Sequence, residues 1–143
     1  MASAGVVYEH IALVDTSAVI ALHDPTDRFH AVAQEFLQTT ELALVSLNVT
    51  AHEAYTRGRY DTGLDRACAH FDFMRSSLFA RLCFTKYDED KAYEMLMKYA
   101  DQQLSFHDAL CGAVMLREGI YKVFAFDRDF FSFGFELLPG VYA

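Results

Sequence analysis

The sequence has no tryptophan, only two prolines (Pro25 and Pro139) and only three cysteines among its 143 residues. Neither proline marks a change of composition, and there is no repeat, low-complexity tract or linker. A single domain over residues 1–143 is expected, with its core at about residues 11–138. Cys68, Cys83 and Cys111 are odd in number and match neither zinc-knuckle nor C-x-x-C redox spacing. Cys68 and Cys111 fall in apolar helical patterns and read as buried thiols, which suits a reducing cytoplasm. Basic residues are scarce: 12 Lys and Arg face 20 Asp and Glu, a net charge of −8. Such a chain does not grip nucleic acid by bulk electrostatics, so any chemistry on RNA or DNA must rest on bound metal and a few local cations. No apolar run reaches the ~18 residues of a membrane span. The N-terminal stretch lacks a basic n-region and is interrupted by Glu9 and His10, so it does not read as a signal peptide.

What the chain does contain is apolar mass, 53% of all residues, with 13 Phe and 8 Tyr. A sizeable core follows from that composition. The apolar residues are arranged as strands alternating with helices. Residues 11–14 end in Asp15 and read as a buried strand; residues 42–47, 79–85, 122–126 and 136–138 are further strand candidates. Helical periodicity marks residues 16–22, 27–39 (through Phe29, Val32, Ala33, Phe36 and Leu37), 49–59 and 62–78. In the last of these Leu64, Ala67, Cys68, Phe71 and Leu78 share one face. Residues 88–102 are amphipathic, whereas 106–118 are apolar all round and predict a buried helix. The alternation predicts a three-layer α/β/α fold around a central, mostly parallel sheet of four to five strands.

Open parallel sheets bind ligands beyond the carboxyl ends of their strands. Four acids fall there: Asp15 after the first strand, Glu53 early in the helix after the second, Asp108 in the first turn of the buried helix, and Asp127 after the fourth strand. Each also has a structural reading. Ser105-x-x-Asp108 and Thr50-x-x-Glu53 fit capping boxes, Asp15 fits a helix cap, and Asp127 fits a turn. Jointly they point to chemistry. Clustered carboxylates repel unless a countercharge joins them, and Mg²⁺ or Mn²⁺, which take oxygen ligands, supply it. Metal-assisted phosphodiester hydrolysis suits such a cluster.

These motifs resemble the PIN-domain family, in particular its VapC-like toxin branch, over roughly residues 11–138. The pieces are Leu13-Val14-Asp15-Thr16-Ser17, then Glu53, then Ser105-Phe106-His107-Asp108-Ala109, and finally Asp127-Arg128-Asp129-Phe130. The resemblance implies a PIN-like fold and a Mg²⁺- or Mn²⁺-dependent endoribonuclease acting on RNA, in many relatives a toxin neutralised by an antitoxin protein and commonly a homodimer. It implies that Asp15, Glu53, Asp108 and Asp127 hold the metal and orient the attacking water. Asp129 is implied as an additional or supporting ligand, and Thr16, Ser17 and Ser105 as supporting residues. One departure is Ala125, where many relatives carry a threonine.

Arg57 and Arg59 on the Glu53 helix, and Arg128 beside Asp127, are the candidate phosphate contacts. An i, i+4 ion pair with Glu53 is the competing role for Arg57. His52-Glu53 opens an H-E-x-x-H zinc motif that fails at Thr56. His107, next to Asp108, could face the site, but a plain structural or solvent-facing role is the favoured reading. The Phe-rich segment 130–135 reads as core, with a dimer or antitoxin contact as its other use. Two further functions compete. A haloacid-dehalogenase-like phosphatase also has an Asp after its first strand, but normally a second Asp two residues on, where this chain has Ser17. An inactive PIN-like RNA-binding or scaffold protein would ordinarily have lost an acid, and none is missing.

Overall fold

The computed structural model describes residues 8–143. Residues 1–7 of the expected domain, and with them much of the stretch tested for a signal peptide, lie outside the described residues. The chain runs β1 (Ile11–Val14), α1 (Thr16–His23), α2 (His30–Thr39), β2 (Ala43–Leu47), α3 (Thr50–Asp61), α4 (Leu64–Met74) and β3 (Ala80–Leu82). It continues through α5 (Lys86–Lys98), α6 (Phe106–Glu118), β4 (Lys122–Phe124), a 3-10 turn (Arg128–Phe133) and β5 (Glu136–Leu138).

All five strands are parallel, in the order β3-β2-β1-β4-β5. Side chains of successive strand residues point to opposite faces, and both faces here are apolar. Leu13, Val45, Leu47 and Val123 pack with α5 and α6 residues such as Met95, Val114 and Met115. Their neighbours Ala12, Val14, Leu44 and Phe124 pack with Val19, Leu22, Ala33, Ala54 and Met74 of α1 to α4. The sheet is thus sandwiched between helical layers, as strands apolar on both faces require. No helix among the described residues is long and apolar enough to cross a membrane.

Several expected boundaries shift for local reasons. Helix α2 starts at His30 rather than at 27, because Asp27 Oδ1 accepts the Phe29 N–H at 2.9 Å and holds a turn there. Strand β4 stops at Phe124, two residues short of expectation, because the Phe126 N–H is taken by Ser17 Oγ at 3.0 Å. Helix α4 is shorter than residues 62–78, and it turns a different face inward. Ala67, His70 and Met74 are buried, whereas Leu64, Cys68 and Leu78 are exposed. The expected burial of Cys68 is therefore wrong. The cause is Gly58 of α3: a Cβ there would stand 2.7 Å from His70 Cδ2, so its absence admits the His70 ring and rotates Cys68 outward. Cys111 is buried as expected.

The order of the strands matters for function. From β1 the chain crosses to β2 on one side, while β4 pairs with β1 on the other. The carboxyl ends of β1 and β4 therefore flank the switch point of the sheet, where a crevice forms. Gly119, at φ 73°, ends α6 in the left-handed conformation and lets the chain turn into β4.

Candidate active site

Asp15 leaves β1 directly into the switch-point crevice, its N–H still bonded to Phe124 O at 3.0 Å. It caps α1, as its structural reading held, because Oδ2 accepts the Ser17 N–H at 3.1 Å. The same oxygen accepts Ser17 Oγ–H at 2.6 Å. Ser17 thereby ties Asp15 to the start of the Asp127 loop through Phe126. The other oxygen, Oδ1, is buried without a hydrogen-bond partner. Thr16 is buried beside it, and its Oγ1 also lacks a partner.

Asp108 enters from the first turn of α6. Ser105 Oγ caps that helix by accepting the Asp108 N–H at 3.0 Å. The cap fixes the backbone and leaves the Asp108 carboxylate facing the crevice. The Thr50-x-x-Glu53 capping box does not form. Val49 is the N-cap of α3, and the Thr50 hydroxyl instead lies 2.8 Å from His107 Nε2. Asp127 is held in a turn by accepting the Asp129 N–H at 3.0 Å, and Ala125 is fully buried with no hydroxyl to offer.

Two tight groups of possible ligand atoms result, each with all atoms within 4.8 Å of one another: Asp15, His107 and Asp108, and Asp108, Asp127 and Asp129. Asp108 belongs to both. Glu53 lies in neither and joins through His107, whose Nδ1 is 3.3 Å from Glu53 Oε2, 3.8 Å from Asp108 Oδ1 and 4.0 Å from Asp15 Oδ1. His107 is buried and faces the acids, so its reading as a plain structural or solvent-facing residue is corrected.

The electrostatics agree with a cluster built for a cation. Burial first, and then the Asp108 charge, push the Asp15 carboxyl up. Burial likewise raises Glu53. Burial, with Asp127 and Asp108 adding to it, brings Asp129 up to about 6. For His107, burial works against the charged ring, but Cys111, Asp108 and Asp15 raise it to about 12. Burial also pushes the Cys111 thiol up. Hard oxygen donors with one buried carboxylate oxygen left unpartnered fit a divalent cation such as Mg²⁺ or Mn²⁺.

The basic candidates separate. Arg57 lines a groove of about 310 Å³ that opens beside Asp127 and Ser17, and it makes no ion pair with Glu53 among the described residues. Arg28, which the sequence reading passed over, lines the same groove, with its guanidinium 4.7 Å from the centre of the Phe29 ring. Phe29 in turn stacks on Phe126 at 4.7 Å. Arg59, exposed two residues after Arg57, is turned by about 200° around the helix and away from the groove. Arg128 donates its Nε–H at 2.9 Å to the carbonyl of Ala143, a residue that lines the same groove. In the Phe-rich segment Phe130 and Phe135 are buried and Phe133 packs against the core.

The PIN domain family model matches residues 12–136. The chain belongs to the PIN-domain family. The 23S rRNA-specific endonuclease VapC20 of Mycobacterium tuberculosis is 32% identical over 133 residues, covering 88% of this chain and 97% of its own. The crystal structure of Mycobacterium tuberculosis VapC20, described as a sarcin-ricin loop cleaving toxin, superposes with a TM-score of 0.81 at 29% identity, over 88% of this chain and 96% of that one. The fold is also that of a toxin-antitoxin complex from Klebsiella pneumoniae, at TM-score 0.59 and 18% identity, over 92% of this PIN chain and 96% of its counterpart.

Proposed function

We propose that this PIN-domain protein is a Mg²⁺- or Mn²⁺-dependent endoribonuclease, the toxin of a toxin-antitoxin pair. The observation that carries the reading is the buried Asp15 Oδ1, which has no hydrogen-bond partner although Asp15 stands in a tight group of possible ligands with His107 and Asp108. Burying a carboxylate oxygen unpaired is costly unless a cation completes it. Asp15, Glu53, Asp108, Asp127 and Asp129 are the residues that would hold that ion. When bound, it would polarise a phosphoryl oxygen and acidify a water.

The chain's own residues supply the rest. Ser17 fixes Asp15 in place by two hydrogen bonds. The carboxylates orient the attacking water. Arg28 and Arg57 along the groove offer the local positive charge that a chain of net charge −8 needs to hold a phosphodiester backbone. RNA as the substrate is supported by the likeness to VapC20, an rRNA-specific endonuclease. An antitoxin partner is supported by the shared fold of the Klebsiella pneumoniae complex. A homodimer and a cytoplasmic location complete the reading.

Two competing functions lose ground on the site itself. A haloacid-dehalogenase-like phosphatase needs a second acid two residues after Asp15, and Ser17 there is committed to Asp15 Oδ2 and the Phe126 N–H. An inactive scaffold would not retain every acid in a cluster that raises the ionisation cost of its own members. One assay separates the three. Purified protein is incubated with RNA, DNA and a phosphate monoester, with Mn²⁺ and then with EDTA. The expected result is cleavage of RNA that EDTA abolishes. Hydrolysis of the monoester alone, or no cleavage of a panel of structured RNAs, contradicts the proposal.

A further inference from the structure

His107 is the one member of the acidic cluster that is not an acid, and its placement is specific. Its side chain is 5% exposed. Nε2 lies 2.8 Å from Thr50 Oγ1, a partner 57 residues away in sequence on the first turn of α3. Without a cation the neighbouring carboxylates favour the doubly protonated ring; a bound cation would displace the Nδ1 proton, leaving the Nε2 hydrogen on Thr50 and a lone pair on Nδ1. That lone pair faces Glu53 Oε2 at 3.3 Å, Asp108 Oδ1 at 3.8 Å and Asp15 Oδ1 at 4.0 Å.

These separations have a meaning for coordination. Around an octahedral ion with bonds of about 2.1 Å, ligand atoms at neighbouring corners stand about 3 Å apart and those at opposite corners about 4.2 Å. The Glu53 separation is near the first value and the Asp15 separation near the second, while the 3.8 Å to Asp108 Oδ1 lies between them. The oxygen at the far end of the 4.0 Å separation is the buried, unpartnered Asp15 Oδ1. Thr50 would act as the outer partner that fixes the tautomer and the ring plane, as metal-bound imidazoles ordinarily require.

We infer that His107 Nδ1 is a direct ligand of the divalent cation held by Asp15 and Asp108, making this a mixed nitrogen-oxygen site that prefers Mn²⁺ over Mg²⁺. The inference rests on the metal-dependent reading above. Its chemistry follows from ligand type. Mg²⁺ favours all-oxygen shells and keeps its waters, whereas imidazole suits the transition metals increasingly from Mn²⁺ onward. The residue before the aspartate of Ser105-Phe106-His107-Asp108 would then set which metal the enzyme uses.

The test is electron spin-echo spectroscopy of Mn²⁺ added to the full chain, which detects magnetic coupling to a coordinated imidazole nitrogen. It is paired with calorimetric titration of Mn²⁺ and Mg²⁺ into the wild type and His107→Leu. The expected result is nitrogen coupling in the wild type. In the variant, Mn²⁺ affinity should fall by about 10-fold or more, and Mg²⁺ affinity should change much less. The wild-type spectrum decides even if the variant fails to fold. Mn²⁺ bound without nitrogen coupling overturns this inference and leaves the nuclease reading standing, as does an equal loss of both affinities. Absence of any Mn²⁺ binding overturns both.

Discussion

Replacing Asp129 by asparagine should make the protein more stable in EDTA while weakening its metal site. Burial, Asp127 and Asp108 raise the Asp129 carboxyl from 3.8 to about 6. A raised carboxyl holds its proton more tightly when folded than when unfolded. Ionising it therefore costs stability, and the cost grows as pH rises from 3.8 and levels off above about 6. The shift of about 2.2 units corresponds to roughly 3 kcal/mol at 1.36 kcal/mol per unit. Asp129 keeps some contact with solvent, which screens its neighbours and brings the expected gain down to about 1–2 kcal/mol. The asparagine side chain would keep the shape and drop the charge. For a chain of this size the melting temperature should rise by about 3–6 °C at pH 7.5. By linkage the gain should shrink to about half at pH 5. Thermal melts in EDTA at the two pH values measure both quantities. With saturating Mn²⁺ the order should invert, because the wild type gains binding energy that the variant lacks. A variant that is less stable than wild type in EDTA at pH 7.5, or a gain that does not change with pH, would refute the reasoning.

Other consequences follow from particular contacts. Asp88 is fully buried in the cap of α5 and receives two hydrogen bonds from Arg117 of α6, at 2.8 and 3.0 Å, so Arg117→Met should cost about 3 kcal/mol in urea unfolding by stranding that carboxylate. Burial, helped by the nearby His70, lowers His23 from 6.5 to about 4, so the neutral ring is favoured in the fold and its contribution fades as pH falls through that window. His23→Gln should therefore lose less stability than wild type between pH 7 and pH 5, by about 1–2 kcal/mol. Arg28→Ala and Arg57→Ala should each raise KM for RNA and reduce the salt dependence of binding by about 0.7 in log-log slope, with little change in Mn²⁺ affinity.

The layers of the fold were legible because their signals are local: the short continuous apolar runs of β1, β2 and β4, and the all-round apolar surface of α6. The acids were legible because a parallel sheet sends every strand's carboxyl end to one edge, so Asp15 and Asp127 could be placed together without knowing any contact. His107 was legible only as a neighbour of Asp108 that could face the site. Only the meeting of α3 with α6, through Thr50 and Glu53, shows that its ring turns into the cluster. Cys68 was misread for a related reason. Periodicity gives the apolar stripe of α4 but not its rotation, which is set by the Gly58 gap opposite His70. Arg28 was hidden because its groove is assembled from α1, α3 and the Asp127 loop.

Asp108 is the acid shared by both ligand groups, and Ser105 caps its backbone independently of its carboxylate. The most direct test is the rate of RNA cleavage in Mn²⁺ by Asp108→Asn, beside melting curves showing that the fold is kept. A loss of about 10³-fold or more, equivalent to roughly 4 kcal/mol of transition-state stabilisation, is the predicted result. Cleavage by the folded variant at close to the wild-type rate would contradict the assignment of this cluster as the active site.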